Sequence, residues 1–365
     1  MQKLREWMRL ETTSDDLLHL DLMRFIASAG IVLCHSGEFF VSQASRAAFN
    51  ERMAGLSLFV DVFFVISGFV IAHVYADRMG GWRDFAKFMQ RRVGRLYPLH
   101  IATLAAMALL FFVVGKLGVA TNSDMRLVPE CLVLGTFLLH AVVDCGGPVP
   151  NGVNWSISAE MVMYVLFPLL LLLFTRFGRL RYLAVAGLLA VTASRYAPGE
   201  GWGTDTQFWR ALPAFALGLA LRLDWSAVAR LRVPGLVPVA MALGLTIGSL
   251  LLWPNWLLVT LAYGSAVAAI AADGTGRVAP LTRRLAPLGQ LTYSMYMLHP
   301  IIILVVVNAI GDKLLKLAGA PLIALTLLSY GLIFLVSLAS YKWFETPARR
   351  YIDRLPLVPA PKGGA

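Results

Sequence analysis

The sequence predicts an all-α, polytopic integral membrane helix bundle of about ten transmembrane helices plus one re-entrant or interfacial segment. Three observations carry that expectation. Charged residues make up 15% of the 365 residues, where soluble domains carry roughly 25%. Apolar types reach 58% and mean hydropathy is +0.70, so about 210 apolar residues at roughly 20 per crossing give on the order of ten spans and occupy nearly the whole chain. The apolar stretches are continuous, as in Val165–Phe174, and do not alternate in and out, which excludes a transmembrane β-barrel.

The spans follow in order. Apolar runs lie near Leu22–Phe40, Leu56–Tyr75, Leu96–Val114, Leu132–Val143, Ile157–Phe174, Leu183–Ser194, Phe208–Leu223, Leu236–Leu252, Leu257–Ala272, Leu288–Ile310 and Pro321–Phe344. Between them sit short basic clusters, for example Arg78 to Arg95, Arg176 to Arg181 and Arg349 to Arg354. The net charge of +11 therefore reads as positive-inside topology and not as a nucleic-acid surface. Three runs lie between the Arg95 and Arg176 clusters, an odd number, so one of them cannot span if both clusters are cytoplasmic. Leu132–Val143 is the shortest, at a length typical of re-entrant or interfacial segments. Removing it leaves about ten spans with both termini cytoplasmic, and places Arg83 and Arg284 inside and Asn122 and Gly201 outside. The expected organisation is a cytoplasmic amphipathic segment at residues 1–19, a membrane domain at 20–350 and a cytoplasmic tail at 351–365. The start of the chain lacks the apolar core of a cleavable signal peptide. Cys34, Cys131 and Cys145 have no metal-ligand spacing, and a disulfide between the last two is left open. No metal is expected.

Ionisable groups inside membrane helices are costly, so each marks a candidate site. Arg24 and His35 are eleven positions apart, three turns plus about 20°, so they share one helix face about 16 Å apart. Arg24 then falls near the cytoplasmic mouth and His35 toward the outer leaflet. The second helix carries Asp61 near its outer end and the small step Ser67-Gly68, which alternatively serves only close helix approach. Arg92 and Arg95, at i,i+3, read as a cytoplasmic helix start with Pro98 in its first turn, either a topological anchor or a phosphate site. In Asn154-Trp155-Ser156-Ile157-Ser158-Ala159-Glu160, Trp155 reads as an interfacial anchor and Ser156 as an N-cap, with Glu160 facing the bundle. Tyr293, Tyr296 and His299 fall in one helix. Tyr341 to Arg350 reads as an aromatic and basic membrane stop.

In this order the segments resemble the membrane acyltransferase 3 family, whose members O-acylate lipopolysaccharide, exopolysaccharide, peptidoglycan and other acceptors. The likeness runs from Leu20-Asp-Leu-Met-Arg24 and His35 through Phe63-Phe-Val-Ile-Ser-Gly-Phe69, Arg92-Val-Gly-Arg95 with Pro98, and Trp155-Ser-Ile-Ser-Ala-Glu160 with Tyr164, to Gly289, Tyr293, His299 and Phe344-Glu-Thr-Pro347. The resemblance implies roles for Arg24, His35, Arg92 and Arg95, and for Trp155, Ser156, Ser158 and Glu160. Relatives often append an extracytoplasmic hydrolase-like domain. This chain ends at Ala365, so acceptor delivery is expected to fall to the membrane unit or to a partner.

The expected activity is transfer of an acyl group, acetyl first, from cytoplasmic acyl-CoA to a hydroxyl of an extracytoplasmic carbohydrate or glycan, at a bacterial inner membrane. Acyl transfer needs a base for the acceptor proton, a site for the thioester and an anchor for the donor. His35 is the expected base, with Glu160 or Asp61 as its orienting carboxylate. Arg24, Arg92, Arg95 and Ser67 are expected to bind the donor, and Trp155, Ser156, Ser158, Tyr293 and His299 to hold the acceptor or support the site. Expected partners are acyl-CoA, the glycan acceptor and membrane lipid, with no nucleic acid. Two other classes use the same residues: a transporter or flippase of a glycan-lipid or small anion, and a structural scaffold in which His35→Ala is silent.

Overall fold

The computed structural model describes residue 10, residues 17–178 except 118–124, residues 180–194 and residues 207–356. Most of the expected N-terminal segment, Asn122, Gly201 and the end of the tail lie outside these. Among the described residues the secondary structure is entirely helical. Seven helices are long and apolar enough to cross a membrane, and the bent pair Phe208–Leu223 and Trp225–Leu231 makes an eighth. Two shorter apolar helices, Arg181–Ala190 and Leu236–Leu251, stand beside them. Helices are the natural outcome for such runs, because in lipid each backbone N–H and C=O must be satisfied within the segment.

The helices that matter for the site are α1 (Leu18–Ser36), α2 (Phe59–Tyr75), α3 (Trp82–Leu117), α4 (Pro129–Thr136), α5 (Asn154–Arg176), α6 (Leu180–Ser194), α7 (Gln207–Leu223), α8 (Leu236–Leu251), α9 (Trp256–Asp273), α10 (Thr292–Ile302) and α11 (Ala320–Ser340). As expected, the run at Leu132–Val143 does not cross: α4 stops at Thr136 and turns follow. Cys131 and Cys145 are joined by a disulfide, which resolves the pairing that the sequence leaves open. Ser158, on α5, fastens the same segment by donating to the Leu138 carbonyl (2.6 Å) and accepting from Ala141 N–H (3.0 Å).

Two local readings are corrected. α3 begins at Trp82 and runs 36 residues, so Pro98 lies in its interior and not in its first turn. α5 begins at Asn154, so Ser156 is inside the helix, where its Oγ donates to the Val153 carbonyl and to Tyr296 and caps nothing. Trp155 is half-buried, its ring against Phe64 and 5.1 Å from the Arg210 guanidinium.

The core is built where α2 crosses α7. A Cβ on Gly68 would stand 2.1 Å from the Phe215 carbonyl oxygen, and one on Gly218 would stand 2.0 Å from that of Val65, so two backbones touch there directly. Phe59, Phe69, Phe167 and Phe215 fill the space around this crossing, fully buried. Asp273 at the end of α9 accepts from His19 N–H (2.8 Å) and Leu20 N–H (3.1 Å), capping α1 from another helix. Leu169, Leu172, Leu243 and Leu328 point away from the bundle, exposed, as lipid-facing side chains do.

Candidate active site

Two cavities stack along α1. The lower one opens between Asp21, Arg24, Arg95, Glu345 and Arg349. The upper one runs past Arg24, Arg92, Arg95, Ser67 and Glu160 to Ser156 and Tyr296. Arg24, Arg95 and Tyr293 line both, so the two adjoin, in line from a basic mouth toward the far end of the bundle. Eight polar residues that the sequence offers as candidates therefore meet here: Arg24, Ser67, Arg92, Arg95, Ser156, Glu160, Tyr293 and Tyr296.

Glu160 sits midway. Its Oε1 accepts from Ser67 Oγ (2.7 Å) and from Tyr164 OH (2.5 Å). Arg92 differs from its neighbour Arg95 in surroundings. Its guanidinium is packed between the rings of Tyr75, Phe88 and Tyr164, with centroids 5.4–5.8 Å away, and donates to Tyr75 OH at 3.3 Å. Such a cage holds the cation by its faces and leaves it less free for an anion than Arg95. Tyr293 OH donates to the Leu96 carbonyl of α3.

His35 is not among the cavity-lining residues. It stands at the last turn of α1, with its Nδ1 2.9 Å from Nε2 of His299 on α10 and the two rings stacked. The His299 ring is 6.0 Å, centroid to centroid, from that of Tyr296, whose hydroxyl closes the upper cavity against Ser156 (2.8 Å). The far end of the path thus lies one ring away from the histidine pair. Neither expected carboxylate orients His35. Glu160 is engaged by Ser67 and Tyr164, while Asp61 is paired with Arg210 at 2.5 Å and accepts from Tyr263 OH at 3.2 Å.

Two residues of the lower cavity were read from the sequence only as part of a membrane stop. Glu345 lies in a π-helical turn, Tyr341–Glu345, and accepts from Ser294 and Ser340. Arg349 follows one turn later, at the cavity mouth. The signal was present in the Phe344-Glu-Thr-Pro347 motif, but a π turn re-aims side chains in a way that 3.6-residue periodicity does not reveal.

Comparison with known proteins gives the same direction. A family model described as an acyltransferase domain matches residues 17–342. The acyltransferase MdmB of Streptomyces mycarofaciens is 29% identical over 150 residues, 40% of this chain and 37% of that protein. Nodulation protein 10 of Rhizobium leguminosarum bv. viciae is 24% identical over 243 residues, 60% of this chain and 64% of its own. The putative peptidoglycan O-acetyltransferase YrhL of Bacillus subtilis (strain 168) is 27% identical over 190 residues, 46% of this chain and 28% of its own. These alignments cover between about a quarter and two thirds of each relative. No solved structure matches the chain.

Proposed function

We propose a reaction from one established premise: this integral membrane protein belongs to the acyltransferase family whose domain model spans residues 17–342. It is an O-acyltransferase that moves an acyl group, acetyl first, from cytoplasmic acyl-CoA to a hydroxyl of an extracytoplasmic carbohydrate. The observation that carries this reading is that two adjoining cavities share Arg24, Arg95 and Tyr293 as lining.

The lower mouth fits a donor of several phosphates. Arg24, Arg95 and Arg349 surround one opening, and guanidinium groups bind phosphate oxygens bidentately. Above them the walls turn apolar, with Val60, Phe63 and Val70, and suit the pantetheine arm. The eleven residues from Arg24 to His35 rise about 16 Å, comparable to the length of that arm. A thioester carried to the Tyr296 end then lies near His35. His35 takes the acceptor proton as the hydroxyl oxygen attacks the thioester carbonyl, and the CoA thiolate leaves and recovers a proton from the imidazolium. No acyl-histidine is needed. Glu160, held by Ser67 and Tyr164, lines the donor path and is not the partner of the base.

The reading places the Arg24 end in the cytoplasm, with both termini inside, at a bacterial inner membrane. The Cys131–Cys145 disulfide is in keeping with an oxidising outer compartment.

Proteoliposomes loaded with cell-envelope glycan from a strain lacking the protein, and given radiolabelled acetyl-CoA outside, test the reaction. Ester-linked label inside, abolished by His35→Ala, is the expected result. Movement of intact glycan-lipid without acetyl transfer would make the protein a transporter, and transfer unchanged by His35→Ala would remove the base.

A further inference from the structure

The hydrogen bonds around the two histidines assign their protons. His299 Nδ1 lies 3.0 Å from the Met295 carbonyl oxygen, one turn back on α10. A carbonyl only accepts, so Nδ1 carries the hydrogen, and the neutral ring then has its lone pair on Nε2. That Nε2 is 2.9 Å from His35 Nδ1. One of the two nitrogens must donate, and His299 Nε2 has nothing to give, so the hydrogen belongs to His35 Nδ1. The lone pair of His35 is left on Nε2, while His299 behind it is fully buried.

We propose that His299 is the positioning residue of the transfer site, holding His35 in the one tautomer whose Nε2 accepts the acceptor's proton. The inference rests on His35 being the general base. A ring's orientation and tautomer are set by the bond its other nitrogen makes, a task that a carboxylate performs in many hydrolases. Here a neutral imidazole performs it. The resting pair carries no charge, and only one charge, the imidazolium of His35, appears as the reaction proceeds. His299 Nε2 faces the Nδ1–H of that imidazolium and strengthens its hydrogen bond as the charge develops. Met295 completes the relay through its backbone carbonyl.

The test compares His299→Ala, His299→Asn, His299→Gln and His35→Ala in the loaded proteoliposomes, with CoA affinity measured by calorimetry. The Gln amide oxygen reaches about where Nε2 stands and accepts from His35 Nδ1–H, whereas that of Asn is one bond short. The expected result is a fall in kcat of roughly 10–10³-fold for Ala and Asn, with CoA affinity unchanged, and recovery to within about ten-fold of wild type for Gln. His35→Ala combined with His299→Ala should be no slower than His35→Ala alone. Equal rates for Asn and Gln, or a silent His299→Ala beside an inactive His35→Ala, overturn the positioning role and leave the base in place. An active His35→Ala overturns the base itself. If His299→Ala fails to bind CoA and so has not folded, the Asn and Gln pair decides alone.

Discussion

Asp61 Oδ2 lies 2.5 Å from Nη2 of Arg210 in a buried ion pair that ties α2 to α7. The Trp155 ring lies under the guanidinium and Tyr263 supplies a further hydrogen bond to the carboxylate. This arrangement accounts for an acidic residue in an apolar helix without giving it a chemical role. Removing one partner strands the other charge, at a cost of about 3–5 kcal/mol, whereas replacing both by apolar groups costs far less. Asp61→Ala should therefore lower the thermal stability of the detergent-solubilised protein sharply, and Asp61→Leu with Arg210→Met should restore most of it. Equal melting temperatures for Asp61→Ala and wild type would show the pair to be idle.

Glu160 and His35 share no hydrogen-bond partner, the first being held by Ser67 and Tyr164 and the second by His299. Losses at independent sites add in free energy, while those within one hydrogen-bonded unit do not. Glu160→Gln combined with His35→Ala should thus lower transfer by about the product of the two single effects. A double variant no slower than His35→Ala would mean that carboxylate and imidazole act together.

The three expected phosphate ligands should separate. Arg95→Ala and Arg24→Ala each remove a charged donor from both cavities, and loss of such a bond costs roughly 1.5–3 kcal/mol, or about ten- to 150-fold in acetyl-CoA affinity by calorimetry. Arg92 is held in its aromatic cage, so Arg92→Ala should show mainly as lost thermal stability. Arg349→Ala, at the open rim, should weaken binding less than Arg95→Ala. If Arg92→Ala alone abolishes binding, the caged guanidinium is the phosphate ligand.

Much of the fold is legible in the sequence because the bilayer leaves few choices: each long apolar run must be a helix, and charge parity singled out Leu132–Val143 as the run that does not cross. The site was half legible. Ser67, Arg95, Glu160 and Tyr293 announce themselves as polar residues in apolar helices. Their partners do not, because side-chain pairing across the bundle is set by helix packing and not by period. His299 is 264 positions from His35, and Arg210 is 149 from Asp61. With those partners unseen, a carboxylate was the natural companion to assign to His35. Pro98 misled for another reason: a proline reads as a helix start, yet α3 continues through it.

Burial pushes the imidazole of His140, within the disulfide-closed segment after α4, down to about 4. The unfolded ring takes its proton near the ordinary value of about 6.5. Between those limits the unfolded state binds more protons than the folded one, so stability falls as pH drops from about 6.5 to about 4 and loses nothing further from this group below that. Hydrogen exchange of residues 134–143 should speed up across that window, and His140→Gln should flatten the dependence. An unaltered pH profile in His140→Gln would assign the titration elsewhere.

Gly68 and Gly218 give the sharpest link between packing and chemistry. Each faces a backbone carbonyl of the opposite helix at a distance no Cβ can occupy, and a carbonyl has no rotamer with which to yield. Gly218→Ala must therefore push α2 away from α7, with an overpacking cost of typically 1–3 kcal/mol. Ser67 is the neighbour of Gly68 on α2, and its 2.7 Å bond to Glu160 reaches a third helix, α5. A shift of a few tenths of an ångström stretches that bond and reshapes the donor path between Arg95 and Tyr296, while the histidine pair on α1 and α10 keeps its geometry. Gly218→Ala should lower the melting temperature and weaken acetyl-CoA binding, yet leave the apparent pKa of the transfer reaction where it is in wild type. Wild-type stability in Gly218→Ala would mean that the two backbones are not in contact, and a displaced pH profile would mean that the donor path and the base move as one body.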